Sequence, residues 1–191
     1  ESDLLAFAGL APYCAEWIRF AAKHPDLLIE VRTKSANISA LQSLSPLPNV
    51  ILAWTISPQT VIERHEPGTP SLAARLEAAA KAMQAGWPVR LCFDPVLHVE
   101  GWEEAYRTCI EMTFAKLPAA QIRDISVGLF RVPKDYMKTM RRVRPDSALL
   151  HYPFTSEDGV YRYADDVSER LTEHVIQLVH QHMPAQKVFT E

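Results

Sequence analysis

Lys34, Thr55, Ser57 and Asp94 each close a short apolar stretch, and each carries a group that can bind or exchange a proton: an ammonium, two hydroxyls and a carboxylate. Cys92 lies two residues before Asp94, so on an extended strand the two share a face, with the thiol one step deeper. Asp94 can bind a substrate or pair with Arg90 or Lys34. A second group is electrostatic. Arg131, Lys134, Lys138, Arg141, Arg142 and Arg144 crowd one stretch, opposed only by Asp135. Such a cluster neutralises phosphates where it meets nucleic acid, and is otherwise a solvated helix face. Downstream, the segment from Asp158-Gly159 to Tyr161-Arg162-Tyr163 reads as a turn with alternating aromatics, and Tyr161 with Arg162 or Tyr163 can stack on unpaired bases. His174, His180 and His182 are spaced by six and two rather than the three or four that sets two ligands on one helix face, so no zinc site is read there. No phosphate loop, dinucleotide glycine fingerprint or GxSxG elbow occurs.

The chain that must position these groups has 191 residues, 48% of them hydrophobic, enough for one domain over 1–191 with a real core. A net charge of −3 gives it no overall attraction to polyanions. Three widely spaced cysteines, Cys14, Cys92 and Cys109, argue against a disulfide framework and for a reducing, cytoplasmic setting. No apolar run approaches the ~20 residues needed to span a bilayer. The polar start, Glu1-Ser2-Asp3, lacks a basic signal-peptide region, and an opening without methionine reads as a fragment or trimmed start.

Short apolar strands alternate with amphipathic helices. Helices are predicted over 12–23 (Tyr13, Trp17 and Phe20 on one side), 35–44, 70–85, 102–116, 133–143 and from 165 to just before Pro184. Strands are predicted over 27–33, 50–55, 89–93, 122–129, 148–152 and 187–190. The 70–85 helix has the clearest boundary signals, with Thr69 as cap, Pro70 in the first turn and Gly86 beyond its end. This order implies parallel strands joined by right-handed crossovers, either an open doubly wound sheet or a barrel.

Two patterns favour a partial (β/α) barrel. On one strand face stand Ile29, Val31, Leu52, Trp54, Leu91, Phe93, Ile125, Val127 and Leu129, suited to packing under helices. On the other stand Glu30, Arg32, Lys34, Ala53, Thr55, Ser57, Arg90, Cys92, Asp94, Asp124, Ser126 and Gly128. A buried parallel sheet is ordinarily apolar on both faces, so a polar face implies a roomy lumen or a set of interior ion pairs. Lys34, Thr55, Ser57, Asp94 and Gly128 also fall at C-terminal strand ends, the catalytic rim of α/β barrels.

The text at these positions resembles the spore photoproduct lyase family of radical S-adenosylmethionine enzymes. The resemblance lies in Ile51-Leu52-Ala53-Trp54-Thr55-Ile56-Ser57-Pro58, Val61-Ile62-Glu63, Glu66-Pro67-Gly68-Thr69-Pro70-Ser71, Phe93-Asp94-Pro95-Val96 and Glu100-Gly101-Trp102-Glu103. Arg32-Thr33-Lys34-Ser35 and Val188-Phe189-Thr190 are similar as well, and the match runs in order over nearly the whole chain. It implies the later half of a (β/α)6 TIM-like barrel. It implies S-adenosylmethionine as cofactor, with Lys34, Thr55 and Ser2 as contacts, and a 5′-deoxyadenosyl radical that opens a thymine dimer in DNA. The family's [4Fe–4S] cluster sits on a CxxxCxxC loop. This sequence has none, and three isolated cysteines do not supply its thiolates, so the loop is expected upstream of Glu1 and the stretch alone is expected to be inactive.

Within that chemistry Cys92 can relay a hydrogen atom to a substrate radical; the plainer reading is a small buried apolar residue. The resemblance also implies a hairpin near Tyr161, Arg162 and Tyr163 that wedges into the lesion; Arg141, Arg142 and Arg144 of the basic stretch are the candidates for its phosphates. Two other readings stand beside it: a cluster-free nucleic-acid-binding module, and a radical enzyme of the same family with another substrate. The first strand is left as an edge, expected to pair with the missing half of the barrel or with a second copy.

Overall fold

The structure is a computed structural model describing residues 3–190. In chain order it contains α1 (Tyr13–Lys23), β1 (Ile29–Thr33), β2 (Val50–Thr55), α2 (Gln59–His65), α3 (Leu72–Gln84), β3 (Val89–Val96) and α4 (Trp102–Lys116). There follow β4 (Asp124–Leu129), β5 (Arg131–Pro133), α5 (Lys134–Val143), β6 (Thr155–Glu157), β7 (Val160–Arg162), α6 (Asp165–His180) and β8 (Val188–Thr190). Ser2, one of the expected cofactor contacts, lies outside the described residues.

Five strands form an all-parallel sheet in the order β1-β2-β3-β4-β8. This order resolves the open alternative. A doubly wound sheet reverses direction at a switch point and places helices on both faces. Here each of the first three crossovers steps to the next strand in the same direction, and with right-handed connections the helices collect on one face, as in a barrel wall. The fold is α/β with a partial-barrel sheet.

Residue parity sorts the two faces. Leu52, Trp54, Leu91, Phe93, Ile125 and Val127 join the buried core with residues of α3, α4 and α6, each worth about 1.5–3 kcal/mol in removed apolar surface. The strand registers put Arg32, Ala53, Arg90 and Asp124 in one row across the opposite face, and Thr55, Cys92 and Ser126 in the next.

Several elements differ from the sequence reading. Residues 35–44 form a single 3-10 turn, Ser39–Leu41. Ala148–His151 is a 3-10 turn rather than a strand; a short apolar run does not by itself distinguish the two. The cap of α3 is Ser71, whose hydroxyl accepts from the Ala74 amide at 3.2 Å, while Thr69 is engaged elsewhere. Gly86 does end that helix, in the left-handed conformation at φ +90°. On α1 the buried side is Cys14, Ile18 and Ala21; the aromatic stripe Tyr13, Trp17 and Phe20 faces outward. A small antiparallel sheet, β5-β7-β6, was not anticipated as such, although its hairpin was. Asp158 and Gly159, both at positive φ, form its two-residue turn. No helix among the described residues is long and apolar enough to cross a membrane.

The Asn49 side-chain amide ties α1 to the sheet, reaching the carbonyls of Ala21, His24 and Leu27 at 3.0, 3.1 and 3.0 Å. Asn49→Ala leaves these three carbonyls without their donor and is expected to lower the unfolding free energy by about 1–2 kcal/mol in urea melts; an unchanged midpoint would show that water replaces the amide at no cost.

Candidate functional site

At the C-terminal end of β1, the Lys34 Nζ lies 3.0 Å from Glu66 Oε1. Glu66 belongs to the loop between α2 and α3. Its other oxygen accepts from Arg75 of α3, and the Ser57 hydroxyl donates to Oε1 at 2.9 Å. Arg75 has no exposed surface. Its guanidinium spends its donors on Glu66, Thr69 Oγ1 (2.8 Å), the Thr55 carbonyl (3.1 Å) and the Pro70 carbonyl (3.0 Å). A buried charge requires such saturation. Burial pushes the Glu66 carboxyl upward, but the Lys34 charge and the Arg75 hydrogen bond and charge outweigh it and hold it below its ordinary value. The rim therefore presents a half-exposed ammonium whose counter-charge is already secured from beneath.

The N-terminal segment docks at the same place. Both Asp3 oxygens accept from the Thr33 hydroxyl at 2.8 and 2.9 Å, and one takes the Lys34 amide at 2.8 Å. Asp3 is thus tied to the Lys34 end of β1.

The rest of the polar face is ion-paired. Arg32 of β1 reaches Asp94 of β3 at 2.6 Å, and Arg90 of β3 reaches back to Glu30 at 2.6 Å while also gripping Asp124. Each link spans β2, a distance near 10 Å between alternate strands, and Ala53, which stands between Arg32 and Arg90 in the register, leaves room for it. Gly128 is needed for the same reason: a Cβ there would sit 2.7 Å from Asp94 Oδ1. The Arg90 guanidinium, bonded first to Asp124 and resisting its partial burial, holds its proton more tightly than usual. It also lies 4.8 Å from the Phe189 ring of β8. Among the described residues Asp94 thus pairs with Arg32 rather than with Arg90 or Lys34.

The remaining sequence-derived residues separate. Thr55 is nearly buried, on the face of Cys92 and Ser126. Cys92 has no exposed surface, so direct contact with a substrate is not open to it, and the small-core-residue reading fits its place. Tyr163 is corrected: its ring is fully buried and its hydroxyl accepts the His98 amide at 2.9 Å, so it cannot stack on a base. Arg162 is held by both Glu157 and Asp165. Tyr161 is half-buried, with the Arg141 guanidinium 5.5 Å from its ring centroid, and Arg141 donates to the Leu150 carbonyl at 2.8 Å. Lys138 pairs with Asp135; Arg131, Lys134, Arg142 and Arg144 have no ion-pair partner among the described residues. Sequence reasoning missed Glu66 and Arg75. Glu66 lay inside a quoted motif, but nothing in spacing shows that two loops fold it under Lys34.

The three cysteines sit on α1, β3 and α4, each buried. They do not converge as cluster ligands. The hydroxyls and shared ammonium at the rim do suit a zwitterionic, ribose-bearing ligand, because Glu66 keeps Arg75 when Lys34 turns to a carboxylate.

The Arg75–Glu66 pair is directly testable. Glu66→Gln leaves a buried guanidinium without its anion and is expected to lower the unfolding free energy near neutral pH by about 3 kcal/mol. Because the folded carboxyl titrates below its ordinary value of 4.5, its stabilisation is present above that pH and lost as the pH falls through the lower folded value. Urea melts should thus show the two proteins converging in acid; a gap that persists there would contradict the assignment.

Comparison with known proteins adds the context. A family model described as spore photoproduct lyase matches residues 1–190. The spore photoproduct lyase of Bacillus subtilis (strain 168) is 31% identical over 146 residues, which cover 71% of this chain and 42% of that protein. The enzyme of Geobacillus sp. (strain Y412MC61) is 25% identical over 150 residues, with the same coverage. A solved spore photoproduct lyase mutant superimposes with a TM-score of 0.86 at 21% identity, covering 99% of this chain and 58% of that one. A second, a double mutant with bound AdoMet and dinucleoside spore photoproduct, gives 0.84. This chain spans less than half the length of the curated relatives. Its sequence and its partial-barrel sheet together place it, over nearly its full extent, in the spore photoproduct lyase family.

Proposed function

We propose that this chain forms the later part of a radical S-adenosylmethionine enzyme that repairs thymine-dimer lesions of the spore photoproduct type in DNA. The observation that carries the reading is the Lys34 ammonium held at the barrel rim by the Glu66–Arg75 pair, in a chain of this family. A related solved structure contains AdoMet and dinucleoside spore photoproduct, which supports the same ligands here.

The cofactor, bound beside an iron–sulfur cluster, would supply one-electron chemistry; the three buried cysteines of this chain do not converge to hold such a cluster, and its ligands are assigned in this reading to a CxxxCxxC loop before Glu1. What this chain contributes is binding and order. Lys34 would meet the cofactor carboxylate, and Thr55 and Ser2 would offer hydroxyls to its polar groups. Asp94, oriented by Arg32 over Gly128, stands at the mouth where substrate enters. Arg142 and Arg144, with Arg141 fixed under Tyr161, hold phosphates of the flanking DNA. The setting is cytoplasmic, in keeping with three free thiols. A second reading, the same chemistry on another substrate, is favoured by one observation: Arg162 and Tyr163, the residues that resemblance sets against the lesion, are committed to internal partners.

The test is the protein with its upstream coding sequence, reconstituted anaerobically. It is expected to cleave S-adenosylmethionine and to act on a spore photoproduct dinucleoside. Lys34→Gln should raise the KM for S-adenosylmethionine about tenfold, a loss of about 1.4 kcal/mol in binding, with kcat little changed. A reading frame without CxxxCxxC upstream, or a KM indifferent to Lys34, would overturn the proposal.

The β1 edge is proposed to pair with the preceding half of the barrel. Leu27 and Leu28 beside it, and Tyr13, Trp17 and Phe20 on α1, leave large apolar surfaces exposed, 61% for Leu28 and 63% for Tyr13. The chain alone should therefore self-associate in sedimentation velocity, and the longer protein should not; a chain that stays monomeric at high concentration removes the basis for this pairing.

A further inference from the structure

A groove of about 270 Å³ lies beside the basic helix α5, and of the residues that line it only Arg144 has a role above. Met140 and Val143 of α5 and Leu149 of the following turn give it apolar walls, the Tyr136 ring adds a flat face, and His65 and Arg144 add polar edges. Tyr136 and Val143 are 61% and 67% exposed, a poor disposition for core residues and a good one for a surface that receives a ring. α2, which ends in His65, leaves the C-terminal end of β2, and α5 follows β4 and β5. Both groove walls therefore follow C-terminal strand ends, those of β2 and of β4 with β5, on the rim where Lys34 and Asp94 stand at the ends of β1 and β3.

We propose that this groove takes one unpaired nucleotide of a DNA strand, its base against Tyr136, Met140 and Leu149 and its phosphate on Arg144. The inference rests on the nucleic-acid reading above and deepens it. Three features select this ligand. The surroundings are cationic, with Arg64 and Arg142 near Arg144 in the chain or in space and no ion-pair partner for any of the three among the described residues. The walls combine apolar side chains with an aromatic face, which suits a base regardless of its identity. His65 is pushed toward its neutral form by burial first, then by Arg64 and Arg144, and so offers a ring to the base rather than a further charge. An acidic peptide would use the cations and leave the flat apolar walls without a counterpart.

Fluorescence anisotropy with a labelled short oligothymidylate and an abasic strand of equal length tests the proposal. The abasic strand is expected to bind about tenfold more weakly. Tyr136→Ala should weaken the thymidylate about tenfold and the abasic strand hardly at all, in line with about 1–3 kcal/mol per stacked base. Arg144→Gln should weaken both and reduce the salt slope by about one. Photocrosslinking from 5-iododeoxyuridine should map to residues 136–150. If the unmodified chain binds neither strand, the nucleic-acid reading itself fails. If it binds both equally, or binds thymidylate with Tyr136→Ala unchanged and crosslinks elsewhere, the groove assignment fails while DNA binding stands. Since Tyr136 is largely exposed, its removal leaves folding intact, which circular dichroism would verify.

Discussion

A guanidinium with no exposed surface is the point on which the rim depends. Arg75 cannot remain charged in the core without acceptors around it, and those it has come from two places: the Thr55 carbonyl at the end of β2, and Glu66, Thr69 and Pro70 of the loop between α2 and α3. Satisfying one buried cation thereby fixes the path of the Glu66-to-Pro70 loop. It also fixes where Glu66 points, and so where Lys34 is held. The geometry of the candidate cofactor site is in this sense a by-product of desolvation: once Arg75 is buried, the arrangement above it has little freedom left.

The polar face of the sheet follows a similar logic on a larger scale. Charges on alternate strands meet only because the strand between them presents Ala53, and Asp94 lies flat only because β4 presents Gly128. The same face can be described as a lined lumen or as a lattice of ion pairs, and it is both. Arg32, Glu30, Arg90 and Asp124 neutralise one another across the floor, while Lys34 and Asp94 stand at the strand ends. Ser126, in the row with Thr55 and Cys92, keeps a buried hydroxyl without a hydrogen-bond partner among the described residues.

Much of this was legible in the residues. Strand parity separated Leu52, Trp54, Leu91 and Phe93 from Ala53, Arg90 and Cys92, because a period of two is imposed by the backbone itself. α4 is where its pattern placed it, at Trp102–Lys116. The exceptions have physical causes. Ala148-Leu149-Leu150 is too short for periodicity to distinguish strand from turn. Thr69 looked like a helix cap, but the tertiary demand of Arg75 recruited it and left Ser71 to cap. Tyr163 looked like a surface aromatic in a turn, but its partner, the His98 amide, lies 65 positions away and has no signature in local sequence. Side-chain partners across such separations are set by how elements dock, which one sequence does not encode in any short window.

Two phenols deserve a last consideration together. The stretch after β3 has no regular structure, yet Tyr106 of α4 accepts the Leu97 amide at 2.8 Å while Tyr163, just past β7, accepts the next one, that of His98. Neighbouring links of one loop are thus bolted to two different parts of the molecule. The β6–β7 hairpin is anchored at its root to the end of β3, so it behaves as a fixed stylus rather than a hinged flap: whatever its tip meets, the reaction force is delivered to the strand that carries Asp94.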